Sequence, residues 1–277
     1  MPKNDILIRT LTGAIFITSI LVSIYLNSQI TISVFGLYLL MALIEFSNFF
    51  KEHETVSLSS IYFIGLGMII YLLFSEIFIE ILPYSSLFIV FPLIFIYLLI
   101  EIWRNKTNPI INLSVGIFGI IYIVVPFILL IVLTEKTTLI EPILTGMFLI
   151  IWANDTFAYL FGRFLGKRKL MERISPKKSW EGVIGGFVFT ILFSWLVAYF
   201  LDSSHDYIFW IISAIIISPA SILGDLLESM FKRSLEIKDS GTILPGHGGI
   251  LDRFDATLIA VPFFFSWYFL YHLIILS

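Results

Sequence analysis

The sequence predicts an all-α, polytopic integral membrane protein with about nine transmembrane helices. Three observations carry that prediction. Of the 277 residues, 58 % are hydrophobic and only 13 % are charged, more apolar surface than a soluble domain of this size needs. The apolar residues fall in runs near the ~20 that a helix needs to cross a bilayer. The Lys and Arg residues fall almost wholly between those runs or at their ends. Cysteine is absent, which excludes disulfides and thiol chemistry. The 28 phenylalanines belong to the membrane runs, and no base-stacking platform for nucleic acid is read from them.

Taken in order, the expected spans are 6–26, 30–50, 58–75, 85–103, 111–133, 139–161, 181–201, 207–231 and 254–275. Lys3 and Arg9 ahead of Leu11 to Leu26 imitate a secretory signal. No small-residue cleavage site follows and further spans do, so the first helix is expected to be retained. Glu76, Glu80 and Pro83 blur the border of the third and fourth spans. Residues 1–135 form a region of about five membrane helices, and 136–277 a catalytic membrane region. The long connections, 162–180 and 232–253, are rich in charge and glycine.

Placing the amino terminus in the cytoplasm puts sixteen of the 17 Lys and Arg residues inside, with only Lys136 outside. That is the distribution the positive-inside rule selects, and nine spans then leave the carboxyl terminus outside. On this topology Asp155 lies 16 residues past Leu139, or about 24 Å of helix rise. Asp225 lies 17 residues past Ile208, about 26 Å along its own span. Asp252 and Asp255 open the ninth span. Three regions distant in sequence are thus expected to place carboxylates at one depth on the cytoplasmic side.

The densest polar stretch is Ser218 to Asp255. On a helix, Ser218, Ser221, Asp225, Glu228, Ser229 and Lys232 share a face. Ionisable groups on a membrane helix are costly and need a reason. Asp225 and Glu228 are read as metal ligands; the alternative is a polar packing stripe, with an ion pair from Glu228 to Lys232. Beyond Arg233 come Lys238, Asp239, His247, Gly248 and Gly249, then Asp252, Arg253 and Asp255. Asp252 and Asp255 are read as metal ligands or catalytic groups against the alternative of helix N-caps. Asp239 is read as a site residue against a simple turn former. His247 is read as a phosphate or orienting contact, since Mg²⁺ prefers oxygen. The glycines let backbone approach a ligand closely.

A second constellation joins Asp155 and Tyr159 to Arg163, Lys167 and the run Ser175-Pro176-Lys177-Lys178-Ser179-Trp180-Glu181-Gly182. For Arg168, Lys169 and Arg173 the alternative is an anchor on anionic headgroups. Ser175-Pro176 also reads as an N-cap followed by Pro at the first helical position. The run is read as an anion cradle, with exposed amides and two ammonium groups pointing at one place. Gly182 and Gly186, four apart, are read as a close helix contact. There is no Walker A loop, no dinucleotide glycine fingerprint, no Gly-x-Ser-x-Gly elbow and no His-Glu-x-x-His.

On these residues the chain resembles the phosphatidate cytidylyltransferase (CDP-diacylglycerol synthase) family. The resemblance lies in Ser229-Met-Phe-Lys232-Arg233, Lys238-Asp239-Ser-Gly, and Leu244-Pro-Gly-His247-Gly248-Gly249-Ile-Leu-Asp252-Arg253-Phe-Asp255. It extends over Asp155 to Gly186 and thins to a shared membrane pattern in the first 140 residues. It implies conversion of CTP and phosphatidate to CDP-diacylglycerol and pyrophosphate at the cytoplasmic face of a bacterial membrane. It implies Mg²⁺ on Asp225 and Asp252, with a second cation nearby. Lys177, Lys178 and Ser179 are assigned to phosphate by the family's similar run. Lys167, Ser175, Tyr159, Lys238, Gly248 and Gly249 are expected to contact substrate. Lys232, Arg233 and Arg253 are expected to hold phosphates and compensate charge, with Asp239 and His247 as further residues of the site. A homodimer is compatible with such an enzyme. Two other classes stay open: a CTP-dependent polyprenol or phytol kinase, and a cation transporter using the carboxylates as an ion path.

Overall fold

The computed structural model describes residues 3–51, 55–136, 143–202, 206–241, 243–244, 246 and 248–276. Its order is α1 (Lys3–Leu26), α2 (Ser28–Phe49), α3 (Ser60–Phe78), a 3₁₀ turn (Tyr84–Ile89), α4 (Val90–Arg104), α5 (Pro109–Gly119), a π turn (Ile120–Val124), α6 (Val125–Lys136), α7 (Ile143–Leu165), β1 (Lys169–Met171), β2 (Ser175–Ser179), α8 (Trp180–Leu201), α9 (Tyr207–Ser234) and α10 (Leu251–Leu276). Among the described residues nine helices are long and apolar enough to cross a membrane. α5, the π turn and α6 make one of them, Pro109–Thr134, with mean hydropathy 3.0. All nine correspond to the expected runs. The blurred border resolves as the end of α3 at Phe78, Pro83, and the 3₁₀ turn that feeds α4.

The chain forms two compact units, Met1–Glu135 with Asp239–Asp252, and Lys136–Lys238 with Arg253–Ser277. The first unit is held by ring packing: Phe46 meets Phe63 at 5.5 Å between centroids and Phe118 at 6.3 Å. Gly119 lets these rings close, since a Cβ there would stand 2.6 Å from Phe46. Two buried polar side chains of this unit, Glu101 and Asn112, satisfy one another, as a water-free interior favours. Glu101 takes Arg104 as an ion pair and Asn112 Nδ2 at 2.7 Å, while Asn112 Oδ1 accepts the amide of Ser57 at 2.7 Å.

The second unit is built on the α7–α8 contact. A Cβ at Gly182 would stand 2.7 Å from Ala158 O and 3.0 Å from Gly162 Cα. One at Gly186 would stand 2.9 Å from Ala158 Cβ. The expected close contact is therefore present, and the backbones approach because no side chain intervenes. α9 begins at Asp206, whose carboxylate accepts the Phe209 amide at 3.0 Å. The Trp210 ring fills the space over Gly146, and its Nε1 donates to Asp202 at 3.0 Å. Pro219 lies inside α9, which still continues to Ser234.

The connection 162–180 differs from expectation. Ser175-Pro176 does not cap a helix; it opens β2, which pairs antiparallel with β1. The cap is Ser179, whose Oγ accepts the Gly182 amide at 3.2 Å. The β2 ladder takes the chain up to Ser179 in extended form (φ −130°), so the helix can start only at Trp180. The sixth span is also displaced: α7 runs Ile143–Leu165, and residues 139–142 lie outside the described residues. Asp155 is thus about 18 Å along α7, with about 15 Å of helix beyond it.

Gly186→Val should press a branched side chain into Ala158 and lower stability by about 1–3 kcal/mol, as overpacking does. The check is a fall in melting temperature of the detergent-solubilised protein, with Val188→Ala, at an exposed position of the same helix, changing it little.

Candidate active site

The second unit gathers acidic residues from three helices. Asp155 comes from α7, Asp225 and Glu228 from α9, and Asp255 from α10. The charges acting on Asp255 include those of Asp225, Glu228 and Asp155. Those acting on Asp155 are Asp225, Lys178 and Arg253. α9 and α10 come together at Gly224, where a Cβ would stand 2.5 Å from Asp255 O. One residue before Asp155, Asn154 is fully buried and accepts the Ser218 hydroxyl of α9, which fixes α7 against α9 at this level.

Cations are delivered in two ways. Lys178 Nζ sits 2.7 Å from Asp225 Oδ2, both side chains partly exposed. Ser229 Oγ donates to the other Asp225 oxygen at 3.2 Å. One turn along, Lys232 Nζ pairs with Glu228 Oε2 at 2.7 Å in a nearly closed environment. The contact observed at Glu228 is thus the ion pair that stood as its structural alternative. Lys177, by contrast, is exposed. Successive side chains of a strand point to opposite faces, so β2 turns Lys178 inward and Lys177 outward. The expectation that both ammonium groups point at one place is corrected for that reason.

The other assigned residues of this unit are placed as follows. Tyr159 is exposed and accepts Arg163 Nη1 at 3.1 Å on its hydroxyl. Lys167 is exposed, and its amide donates to Glu181 at 3.0 Å. Ser175 opens β2 and Ser179 caps α8. Arg233 Nη1 donates to Ile237 O at 3.2 Å in the turn after α9. Lys238 and Arg253 are exposed at the two cuts of the unit.

In the first unit, Asp252 Oδ2 accepts two amides, from Ser240 and from Gly249, each at 2.9 Å. These bonds fix the plane of the carboxylate. Gly248 holds φ +84°, a left-handed conformation that glycine adopts without strain, and its open side faces Asp252 Oδ2. Asp239 is exposed near the same glycine. Gly249 is buried. The call on His247 falls outside the described residues. One residue was missed. Glu45 of α2, 2 % exposed, accepts the amides of Ile250 and Leu251 at 2.9 Å each and the Ser240 hydroxyl at 3.3 Å. The available signal was a lone acid inside an apolar span.

Among the described residues no three His, Cys, Asp or Glu side chains form a preformed metal cage. Mg²⁺ does not require one: it is held by one or two carboxylates together with substrate phosphates. The donors in the second unit are carboxylate oxygens, and an ammonium already stands at Asp225. That donor chemistry fits a hard divalent cation.

Fold and site together define a polytopic helical membrane protein whose ionisable groups are concentrated in its carboxyl-terminal half. The chain belongs to the cytidylyltransferase family, whose profile matches residues 7–271. It is 44 % identical over 131 residues to a Haemophilus influenzae protein named phosphatidate cytidylyltransferase, covering 46 % of each chain. It is 48 % identical over 115 residues to the protein of that name from Staphylococcus haemolyticus, covering 42 % of this chain and 44 % of the relative. To that of Staphylococcus aureus it is 50 % identical over 117 residues, with the same coverage. The chain thus spans a little under half the length of the curated relatives it matches.

The Lys178–Asp225 pair is partly exposed, so its coupling should be about 1 kcal/mol rather than the larger value of a closed pair. A double-mutant cycle of Lys178→Met and Asp225→Asn, read by thermal unfolding in detergent, measures it.

Proposed function

We propose that the protein is a phosphatidate cytidylyltransferase, making CDP-diacylglycerol and pyrophosphate from CTP and phosphatidate. The observation that carries the reading is the acidic set of Asp155, Asp225 and Asp255 with Lys178 lodged on Asp225. Family membership and the names of the partial relatives support it.

In this reading a phosphate oxygen of phosphatidate attacks the α-phosphorus of CTP, and pyrophosphate leaves. The attacking oxygen is already an anion, so no strong general base is needed. The obstacle is the meeting of two anions, and catalysis is positioning plus charge compensation. A bound Mg²⁺ supplies neutralisation of the phosphate oxygens. Asp225, with Asp155 and Asp255 beside it, would hold the ion; separately, the signature resemblance implies a metal-ligand role for Asp252. Lys178 holds Asp225 in place and offers its ammonium to phosphate. Lys177 and Arg253, both exposed, meet the outer phosphates. Lys232 holds Glu228 fixed, and Ser179 keeps the start of α8 closed. The positive-inside distribution supports a cytoplasmic position for this chemistry, where CTP is found and where the lipid headgroup can enter between helices.

The test is purified protein in detergent with phosphatidate, Mg²⁺ and CTP labelled on either the α- or the γ-phosphorus. Lipid product should carry the α label. A γ label on lipid would replace this reading with a CTP-dependent lipid kinase. Asp225→Asn and Asp252→Asn should each lower turnover by about 100-fold or more, as losing a charge-stabilising group does. Abundant product from Asp252→Asn would remove its metal assignment.

A further inference from the structure

The acid of α2 has no place in the chemistry above, yet it is among the most buried charged residues of the chain. Glu45 lies within a membrane-crossing helix and is 2 % exposed. Its two oxygens take the amides of Ile250 and Leu251, the residues at which α10 starts. A helix start presents unpaired N–H groups and favours a negative charge. An internal helix end in a membrane protein has little water to supply that charge, and Glu45 supplies it from 205 and 206 residues away in sequence.

The contacts continue to Asp252. Ser240 Oγ donates to Glu45 Oε2 at 3.3 Å and accepts the Asp252 amide at 3.3 Å. The Ser240 amide in turn donates to Asp252 Oδ2 at 2.9 Å. Ser240 is therefore gripped by both carboxylates. The surrounding glycines make room for Glu45: a Cβ at Gly241 would stand 2.7 Å from its Oε1, and one at Gly249 would stand 2.5 Å from its Oε2. Two glycines of the polar signature thus face the side chain of α2.

We infer that Glu45 is the positioning residue of the Asp252 loop: through Ser240 and the Ile250 and Leu251 amides it sets the orientation in which Asp252 meets a divalent cation. The inference rests on the reading of Asp252 as a metal ligand. Glutamine at 45 keeps the shape but turns one acceptor into a donor facing an N–H. Aspartate keeps the charge but draws it back by about one methylene, roughly 1.5 Å.

The experiment compares the full-length parent with Glu45→Gln, Glu45→Asp and Ser240→Ala in detergent. Three quantities are read: Mn²⁺ affinity by electron paramagnetic resonance, hydrogen exchange at residues 240 and 249–251, and the Mg²⁺ concentration that half-saturates product formation. Glu45→Gln should weaken Mn²⁺ binding and raise the Mg²⁺ requirement about tenfold or more, the scale of an outer-shell loss. Exchange should speed up in the 239–252 loop and stay parental elsewhere. Glu45→Asp should recover part of each effect. Ser240→Ala should shift all three in the same direction by less, and it carries the test if Glu45→Gln does not fold. A Glu45→Gln protein with parental Mn²⁺ affinity and parental Mg²⁺ requirement overturns the inference, whatever its melting temperature. So does a parent that binds no Mn²⁺. A parent that forms no CDP-diacylglycerol while the Mn²⁺ and exchange effects appear leaves the positioning role standing and removes the proposed activity instead.

Discussion

A carboxylate inside a lipid-embedded helix has no water to turn to, and the chain meets that constraint differently at each acid. Glu101 is paired with Arg104 one turn away, Glu228 with Lys232. Just outside the helices, after α8 and before α9, Asp202 and Asp206 take the Trp210 and Tyr271 side chains, each an apolar body with a polar tip. Glu45 takes main-chain amides. These solutions close the charge locally, and those at Glu45 and Asp206 also tie together stretches far apart in sequence. Asp155, Asp225 and Asp255 are different in kind. They act on one another as like charges, and the cations beside them are Lys178 and Arg253. That mutual influence sets these three apart from the acids whose charge is met by a single neighbouring group.

The membrane helices were legible because hydropathy alone decides them: each apolar run became a helix with ends within a few residues of expectation. The acids of α9 and α10 were legible because charge in an apolar run stands out. Glu45 stood out by the same criterion, but its meaning was hidden, since its partners lie 205 and 206 positions downstream and are amides that no side-chain pattern announces. The hairpin of β1 and β2 was hidden for a local reason. Ser175-Pro-Lys-Lys-Ser179 has no apolar alternation, and a Pro beside a Ser looks like a helix start. Only the pairing with Lys169–Met171 makes it a strand. The consequence reaches the site, because strand alternation is what sends Lys178 to Asp225 and leaves Lys177 outside.

Glycine serves two separate ends that the sequence does not distinguish. At 182 and 186 it brings α7 and α8 backbone to backbone, which carries the start of α8 and the hairpin close to the helix that bears Asp155. At 241 and 249 it clears space for a carboxylate. Both sets sit in charged, glycine-rich stretches, and the natural reading of such stretches is a backbone laid against a ligand. In this fold much of that open space is filled by the protein's own groups, Ala158 in one case and Glu45 in the other. The glycines near a polar signature therefore report first on how its carboxylates are held.

This bears on what the polar residues must do for chemistry between two anions. The proposed reaction, whose nucleophile is already ionised, gains nothing from a base, so on that reading the acids have no proton to abstract. Their use would be to hold positive charge at a fixed place, and fixed place is what the contacts provide. Asp225 is steadied by Ser229 and Lys178, and Asp252 by two amides. A preorganised charge does not have to reorganise when the reactants arrive. The energetic cost of keeping ionised groups at membrane depth is then the cost of that preorganisation, carried by the fold before any substrate binds.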